Sequence, residues 1–88
     1  MVRLRPGDEV DNHYHRHCVE SFIVMEGSCT LWVDQGAPVT LTVGDIVSSA
    51  ANEQHYLRND TEEPCRFIFL KTPSSPGDTI AVPWVPSN

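Results

Sequence analysis

The stretch from Gly7 to Gly27 reads GDEVDNHYHRHCVESFIVMEG, and it decides how the rest of the chain is interpreted. Its polar side chains include three histidines at alternate positions and one carboxylate further on: His13, His15, His17 and Glu20. Successive side chains of an extended strand point to opposite faces, so His13 and His15 are expected side by side on one face, near enough to share a metal ion. Glu20 cannot continue this alternation. We therefore expect a turn or bulge between residues 16 and 19, with Glu20 opening the next strand.

A further donor of the same kind, His55, lies far downstream in the sequence Glu53-Gln54-His55-Tyr56. Three imidazoles and one carboxylate are a ligand set that suits iron, manganese, nickel, copper or zinc. The alternative is that these are polar surface residues on unrelated strands. Their spacing decides between the two interpretations.

That spacing resembles the first sequence motif of the cupin superfamily, whose marked positions here are Gly7, His13, His15, Glu20 and Gly27. A second cupin-like motif begins at Gly44 and ends with His55 and Asn59. Between them, Ala50 stands where the family usually has proline, and Asn52 stands where it usually has glycine. The resemblance covers roughly residues 3–71.

The resemblance implies a small single-domain β-barrel with one divalent transition-metal ion in its lumen. The ligand positions it implies are His13, His15, Glu20 and His55, and it does not select among iron, manganese, nickel, copper and zinc. It implies no particular reaction, because one fold can host many.

Length and charge limit the classes of function. A chain of 88 residues makes one domain, and its formal net charge of −6 makes nucleic acid and anionic membranes poor partners. We find no apolar run long enough for a membrane span and no signal peptide, so we expect a soluble cytoplasmic protein. The cysteines, Cys18, Cys29 and Cys65, are odd in number and widely spaced, and we expect reduced thiols.

Alternation of apolar residues predicts a chain of short strands and no helix. The expected strands are 2–6, 9–16, 20–25, 29–34, 39–43, 46–49, 54–58 and 65–70. The predicted fold is all-β, a jelly-roll-like double-stranded β-helix. Residues 1–72 form the barrel domain, and residues 73–88 form a Pro-rich tail that packs on the barrel or on a partner subunit. Within this tail, Thr79 to Val82 is a candidate edge strand.

Several other side chains invite a functional interpretation that we weigh against a structural one. His17 shares the face of His13 but lies near the expected strand end, which favours a place at the rim of the site over ligation. Cys18 is expected to be structural, since nothing near it in sequence requires a depressed thiol pKa. Four aromatic residues are expected in the core rather than at a substrate platform: Phe22, Trp32, Phe67 and Phe69.

A divalent metal with an ionised Glu20 leaves the site with a single net positive charge, which favours an anionic or oxygen-chelating ligand. The leading hypothesis is a metal-dependent enzyme, a dioxygenase or an isomerase acting on a small polar or anionic molecule. The competing hypothesis is a non-catalytic, metal-dependent module for binding or sensing a small molecule. A third, a sugar-nucleotide epimerase, is disfavoured because that cupin branch is longer.

Two predicted strands are apolar on both faces, and this favours a homodimer. The barrel lumen can accept one face of residues 20–25 and 65–70. The other face carries Ile23, Met25, Ile68 and Leu70. A second subunit or the tail would have to cover these side chains, and we expect the second subunit.

Overall fold

The computed structural model describes residues 1–73 and 77–87, which form nine β-strands. The strands are β1 (Val2–Leu4), β2 (Glu9–His15), β3 (Val19–Glu26), β4 (Ser28–Val33), β5 (Pro38–Thr42), β6 (Ile46–Ser49), β7 (His55–Arg58), β8 (Cys65–Thr72) and β9 (Thr79–Ala81). Every strand expected from the sequence is present, with its ends shifted by no more than about two residues. No helix in the described ranges is long and apolar enough to cross a membrane.

The strands form two antiparallel sheets. The first sheet has the order β1-β8-β3-β6, and the second has the order β5-β4-β7-β2-β9. Along the chain the strands alternate between the sheets, except that β4 and β5 are consecutive in the second. This winding of one chain between two facing sheets confirms the predicted all-β, double-stranded β-helix.

The hydrophobic core lies between the inner faces of the sheets. Its members alternate along their strands with outward-facing residues, as expected when one sheet face is buried. They are Leu4, Phe22, Val24, Cys29, Leu31, Leu41, Leu57, Cys65 and Phe67. Burying one of the larger of these side chains contributes about 1.5–3 kcal/mol relative to exposure, so this cluster is the main stabilising feature of a small domain.

All three cysteines are buried free thiols. Cys29 and Cys65 are part of the hydrophobic core, one on each sheet. Burial, together with the neighbouring Cys65, raises the pKa of the Cys29 thiol to about 12. Cys29 is therefore a protonated, unreactive apolar side chain at neutral pH.

Two turns depend on an unusual backbone conformation. Gly27 has φ of +71°, and a Cβ there would lie 2.3 Å from the carbonyl oxygen of Pro64. Asn52, which stands where the family usually has glycine, has φ of 69°. Asparagine is one of the few other residues that adopt this left-handed region readily, so the approach to His55 is preserved without the glycine.

A β-bulge in β2 determines which of its side chains face inward. Val10 pairs with Leu57 and His13 pairs with His55, so three residue steps on β2 oppose two on β7. The extra residue allows Val10 and His13 to face the same side although their numbers differ in parity. Val10 then packs against the core, and His13 begins the part of this face that carries the histidines.

The segment after residue 76 lies against the second sheet. β9 pairs antiparallel with β2, joining residues 79–81 to His13, Tyr14 and His15, which confirms the predicted edge strand. Beyond β9, the ring of Trp84 lies 5.9 Å from that of Tyr56 on the outer face of the sheet. This segment therefore contacts both β2 and β7, the two strands that carry His13, His15 and His55.

Candidate metal centre

The four side chains at the ligand positions meet at one point between the sheets. The Nε2 atoms of His55, His15 and His13 lie 2.7, 2.9 and 3.6 Å from the same carboxylate oxygen, Glu20 Oε1. One ligand atom from each of the four residues lies within 4.8 Å of those of the others. His15, Glu20 and His55 are buried, and His13 is partly buried. The cluster could therefore hold a single metal ion.

The register of the strands brings these residues together. His13 pairs directly with His55 across β2 and β7, and His15 follows on the same face of β2. Glu20 comes from β3 in the opposite sheet, so the cluster bridges the two sheets. The ring of Phe22 packs edge-on against His55 at 5.4 Å and forms one side of the cluster.

The outer nitrogen of each imidazole is held by an oxygen. His13 Nδ1 lies 2.6 Å from the carbonyl oxygen of Asp11, and His55 Nδ1 lies 3.3 Å from that of Glu53. A carbonyl oxygen can only accept a hydrogen bond, so each of these Nδ1 atoms carries the proton. His15 Nδ1 lies 3.2 Å from the Thr79 hydroxyl oxygen.

This arrangement has an electrostatic consequence for the centre of the cluster. When Nδ1 carries the only ring proton, Nε2 has a lone pair and cannot donate to the Glu20 carboxylate. The short contacts between Nε2 atoms and Oε1 are then favourable only if extra protons or a cation lie among them. A neutral-imidazole cluster with four converging lone-pair donors fits a divalent metal ion.

The titration behaviour of the cluster reflects the same convergence. Burial alone would raise the pKa of Glu20, but when the imidazoles of His13, His55 and His15 also carry protons on Nε2, their hydrogen bonds outweigh the effect of burial and hold the pKa well below its usual range. Burial alone would lower the pKa of His13, but its contacts with Glu20 and the Asp11 carbonyl raise it overall. The charge of Lys71 acts weakly in the opposite direction.

Asp78 holds the loop that joins the two ligand strands. The backbone N–H groups of Arg16, His17 and Cys18 donate to its carboxylate at 2.8 to 3.1 Å. The buried position of Asp78 would raise its pKa, but these hydrogen bonds dominate and lower the pKa to about 2. The His17 side chain is exposed, and His17 is not part of the ligand cluster. Sequence reasoning missed Asp78 and Thr79, because no local pattern marks contacts made across more than 60 residues of chain.

A cavity of about 380 Å³ opens beside His13 and Glu20. Most of its wall is apolar. The lining consists of Val10, Asp11, Asn12, His13, Glu20, Phe22, Phe67, Phe69, Lys71, Thr79 and Ala81. Phe22 and Phe67 are core residues as expected, whereas the expectation for Phe69 was wrong. Phe69 is 40% exposed and lies in the cavity wall, because it is two residues nearer the open end of β8 than Phe67.

Comparison with known proteins gives the family. A model described as a cupin domain matches residues 1–71. Quercetin 2,3-dioxygenase of Bacillus subtilis (strain 168) is 38% identical over 55 residues, which are 62% of this chain and 16% of that protein. The tetracenomycin polyketide synthase protein TcmJ of Streptomyces glaucescens is 28% identical over 75 residues, which are 85% of this chain and 50% of that protein. The chain thus spans half or less of the length of these curated relatives.

Solved structures give a similar result. One is described as a sugar phosphate isomerase from a cupin superfamily, and it comes from Silicibacter pomeroyi. It is 32% identical to this chain with a TM-score of 0.74, and the match covers 82% of this chain and 47% of that one. A protein with a double-stranded β-helix domain from Klebsiella pneumoniae is 24% identical, with a TM-score of 0.85, over 93% of this chain and 70% of that one. The second similarity supports the fold alone.

Proposed function

The chain belongs to the cupin family, and from that premise we propose that it is a metal-dependent enzyme acting on a small polar or anionic molecule. Its metal would be one divalent transition-metal ion held by His13, His15, Glu20 and His55. The similarity to quercetin 2,3-dioxygenase supports a dioxygenase type of reaction, and the similarity to a sugar phosphate isomerase supports an isomerase type.

One observation carries this proposal: three imidazole Nε2 atoms converge on one carboxylate oxygen while their Nδ1 atoms are held by other oxygens. Nitrogen and carboxylate donors in this combination suit iron, manganese, nickel, copper or zinc. When bound, such an ion supplies Lewis acidity toward oxygen atoms of a substrate and, if redox-active, electron transfer. Four protein ligands leave a position open in a five- or six-coordinate ion but close a tetrahedral one.

The protein's own residues would bind and orient the substrate. His13 and Glu20 are the ligands that line the cavity, so a substrate there lies beside the metal centre. The apolar wall formed by Phe22, Phe67 and Phe69 limits water around it, which strengthens electrostatic interactions in the site.

Elemental analysis of purified protein after metal loading and desalting tests the proposal. We expect one metal ion per chain for the wild type and almost none for the double variant His13→Ala, His15→Ala, because two ligands are lost. His17→Ala is the matched control, since this histidine is exposed and outside the cluster, and it should keep its metal. Equal metal content in the double variant and the wild type would overturn the proposed ligand set.

A second candidate is a non-catalytic, metal-dependent binding or sensing module. It is favoured by the cavity lining, where the titratable side chains other than the ligands are Asp11 and Lys71 among the described residues. Both side chains are exposed, so neither is a buried general acid or base beside the ligand cluster. Oxygen uptake or isomer formation by the metal-loaded protein across a metabolite screen would support the enzyme. Metabolite binding without turnover would support the module.

We also propose that the protein works in the cytoplasm. The three cysteines are buried free thiols, and reduced cysteines are typical of that compartment.

A further inference from the structure

The inward face of β8 leads from the core to the metal centre. Phe67, Phe69 and Lys71 alternate along this strand, and each pairs with an inward-facing residue of β3. Phe67 is buried, Phe69 is half-exposed, and Lys71 is exposed. Because Lys71 pairs directly with Glu20, its side chain begins beside a metal ligand and lines the mouth of the same cavity.

Lys71 is the one lysine in the sequence. Within residues 1–73 and 77–87 it forms no ion pair, whereas Arg66 on the outward face of the same strand pairs with Glu26 at 3.1 Å. Its Nζ lies 5.8 Å from the centre of the Phe69 ring, so it follows the cavity wall. A cation held beside an apolar wall without a carboxylate partner is an available binding group for an anion.

The sum of the charges in the cavity also favours an anionic ligand. Asp11 contributes one negative charge to the lining, and Lys71 contributes one positive charge. These two cancel, so a divalent ion together with the Glu20 carboxylate leaves a single net positive charge. A ligand with one negative charge would neutralise the loaded cavity.

The apolar wall of the cavity restricts the shape and polarity of the uncharged part of the ligand. Five of the lining residues are apolar: Val10, Phe22, Phe67, Phe69 and Ala81. Three of these are aromatic and favour a flat body that packs against their faces and edges. A cavity of about 380 Å³ is near the lower limit for small-molecule sites, which restricts the ligand to about one ring.

We propose that the ligand is a small organic monoanion with a flat apolar body, its charged end held between the metal centre and Lys71 and its body packed on Phe69. This inference rests on the proposed function and adds to it a substrate class and a residue, Lys71, that determines specificity. Lys71 would orient the anion, and the phenylalanine wall would select against small hydrophilic anions such as acetate.

The test uses the full chain loaded with Ni²⁺, its metal content checked by elemental analysis, and measures binding by titration calorimetry. The probes are benzoate, its neutral isostere benzamide, and acetate, which has the charge without the ring. We expect the wild type to bind benzoate most tightly. In Lys71→Met, which keeps the length of the side chain but loses the charge, benzoate should bind about tenfold more weakly, and benzamide should be unaffected.

Two further variants control for indirect effects. Lys71→Arg should restore benzoate binding, and Arg66→Met, which removes a cation from the opposite face of the same strand, should leave it unchanged. If wild type and Lys71→Met carry nickel and bind benzoate equally, or if neither binds it, the inference is wrong and the proposed metal site stands. If the wild type takes up no nickel, the proposed function fails and the inference fails with it.

Discussion

At the scale of single residues, the contact between His15 and Thr79 supports the role proposed for His15 as a metal ligand. To bind through Nε2 as a neutral ring, His15 must carry its proton on Nδ1, and the Thr79 hydroxyl oxygen lies 3.2 Å from that atom. In that tautomer the Thr79 hydroxyl accepts the hydrogen bond from Nδ1–H and holds the orientation of the ring. His13 and His55 obtain the same support from backbone carbonyls, which no side-chain substitution removes.

Thr79→Val is the substitution that isolates this contact, because valine has the shape of threonine without the hydroxyl. We expect metal affinity to fall about 10- to 100-fold, the usual effect of removing such a partner, with little change in the stability of the metal-free protein. Competition with a chelating dye measures the affinity. Thr79→Ser keeps a hydroxyl and should remain close to the wild type; an equal loss in Thr79→Ser and Thr79→Val would show that the hydrogen bond is not responsible.

At the scale of elements, β9 and the residue before it fasten the ligand-bearing part of the second sheet. β9 pairs with the half of β2 that carries both histidines, and Asp78 binds the loop that follows. The N–H of Val82 also donates to the carbonyl of Asn12, and the Asn12 side-chain amide donates back to Val82. β2 therefore has hydrogen-bond partners along both edges at the metal centre.

Asp78→Asn should lower the free energy of unfolding at neutral pH, because the amide cannot accept three backbone N–H groups as the carboxylate does. The pKa of Asp78 is lowered from 3.8 to about 2, so its contribution is complete above about pH 4 and is lost as the pH falls toward 2. Urea unfolding at a series of pH values should show the gap between variant and wild type narrowing over that interval. Asp60→Asn, which alters an exposed ion pair with Arg58, should have a small effect throughout. If the difference in the free energy of unfolding between Asp78→Asn and the wild type does not change with pH, this explanation is contradicted.

At the scale of the whole molecule, the outer face of the first sheet carries an apolar patch that has no cover in the described chain. Ile23 pairs with Ile46 on one side and with Ile68 on the other, which places three isoleucines in one row across the sheet. Met25, Leu70 and Ile46 are 48%, 56% and 66% exposed. A contiguous apolar patch of this kind is typical of an interface. We propose that a second copy of the chain covers it through a two-fold symmetric contact.

Leu70→Glu tests the dimer, because this side chain is exposed in the single chain and its replacement should not unfold it. Sedimentation at micromolar concentration should show a dimer for the wild type and a monomer for the variant, since a charge would be buried in the interface. Val39→Glu, a substitution of similar exposure on the second sheet, should remain dimeric. A monomeric wild type would rule out the interface.

The sequence by itself determined the class of fold and the four residues of the cluster. Alternation of apolar and polar residues is a local property, so the strand expected at residues 39–43 could be predicted from the printed residues, and it is present as Pro38–Thr42. The four residues of the cluster could be selected because their spacing resembles a family motif, and Asn52 could replace glycine because both adopt positive φ.

Only the tertiary structure decided what surrounds those four residues. The bulge in β2 depends on pairing with β7, and the support from Asp78 and Thr79 depends on β9 returning to β2. Whether Phe69 and Lys71 are core, surface or cavity wall depends on where the barrel opens, which alternation along β8 does not encode. These features arise from contacts between residues far apart in the chain. Local sequence preferences do not specify such contacts, because their energies exist only once the sheets have packed together.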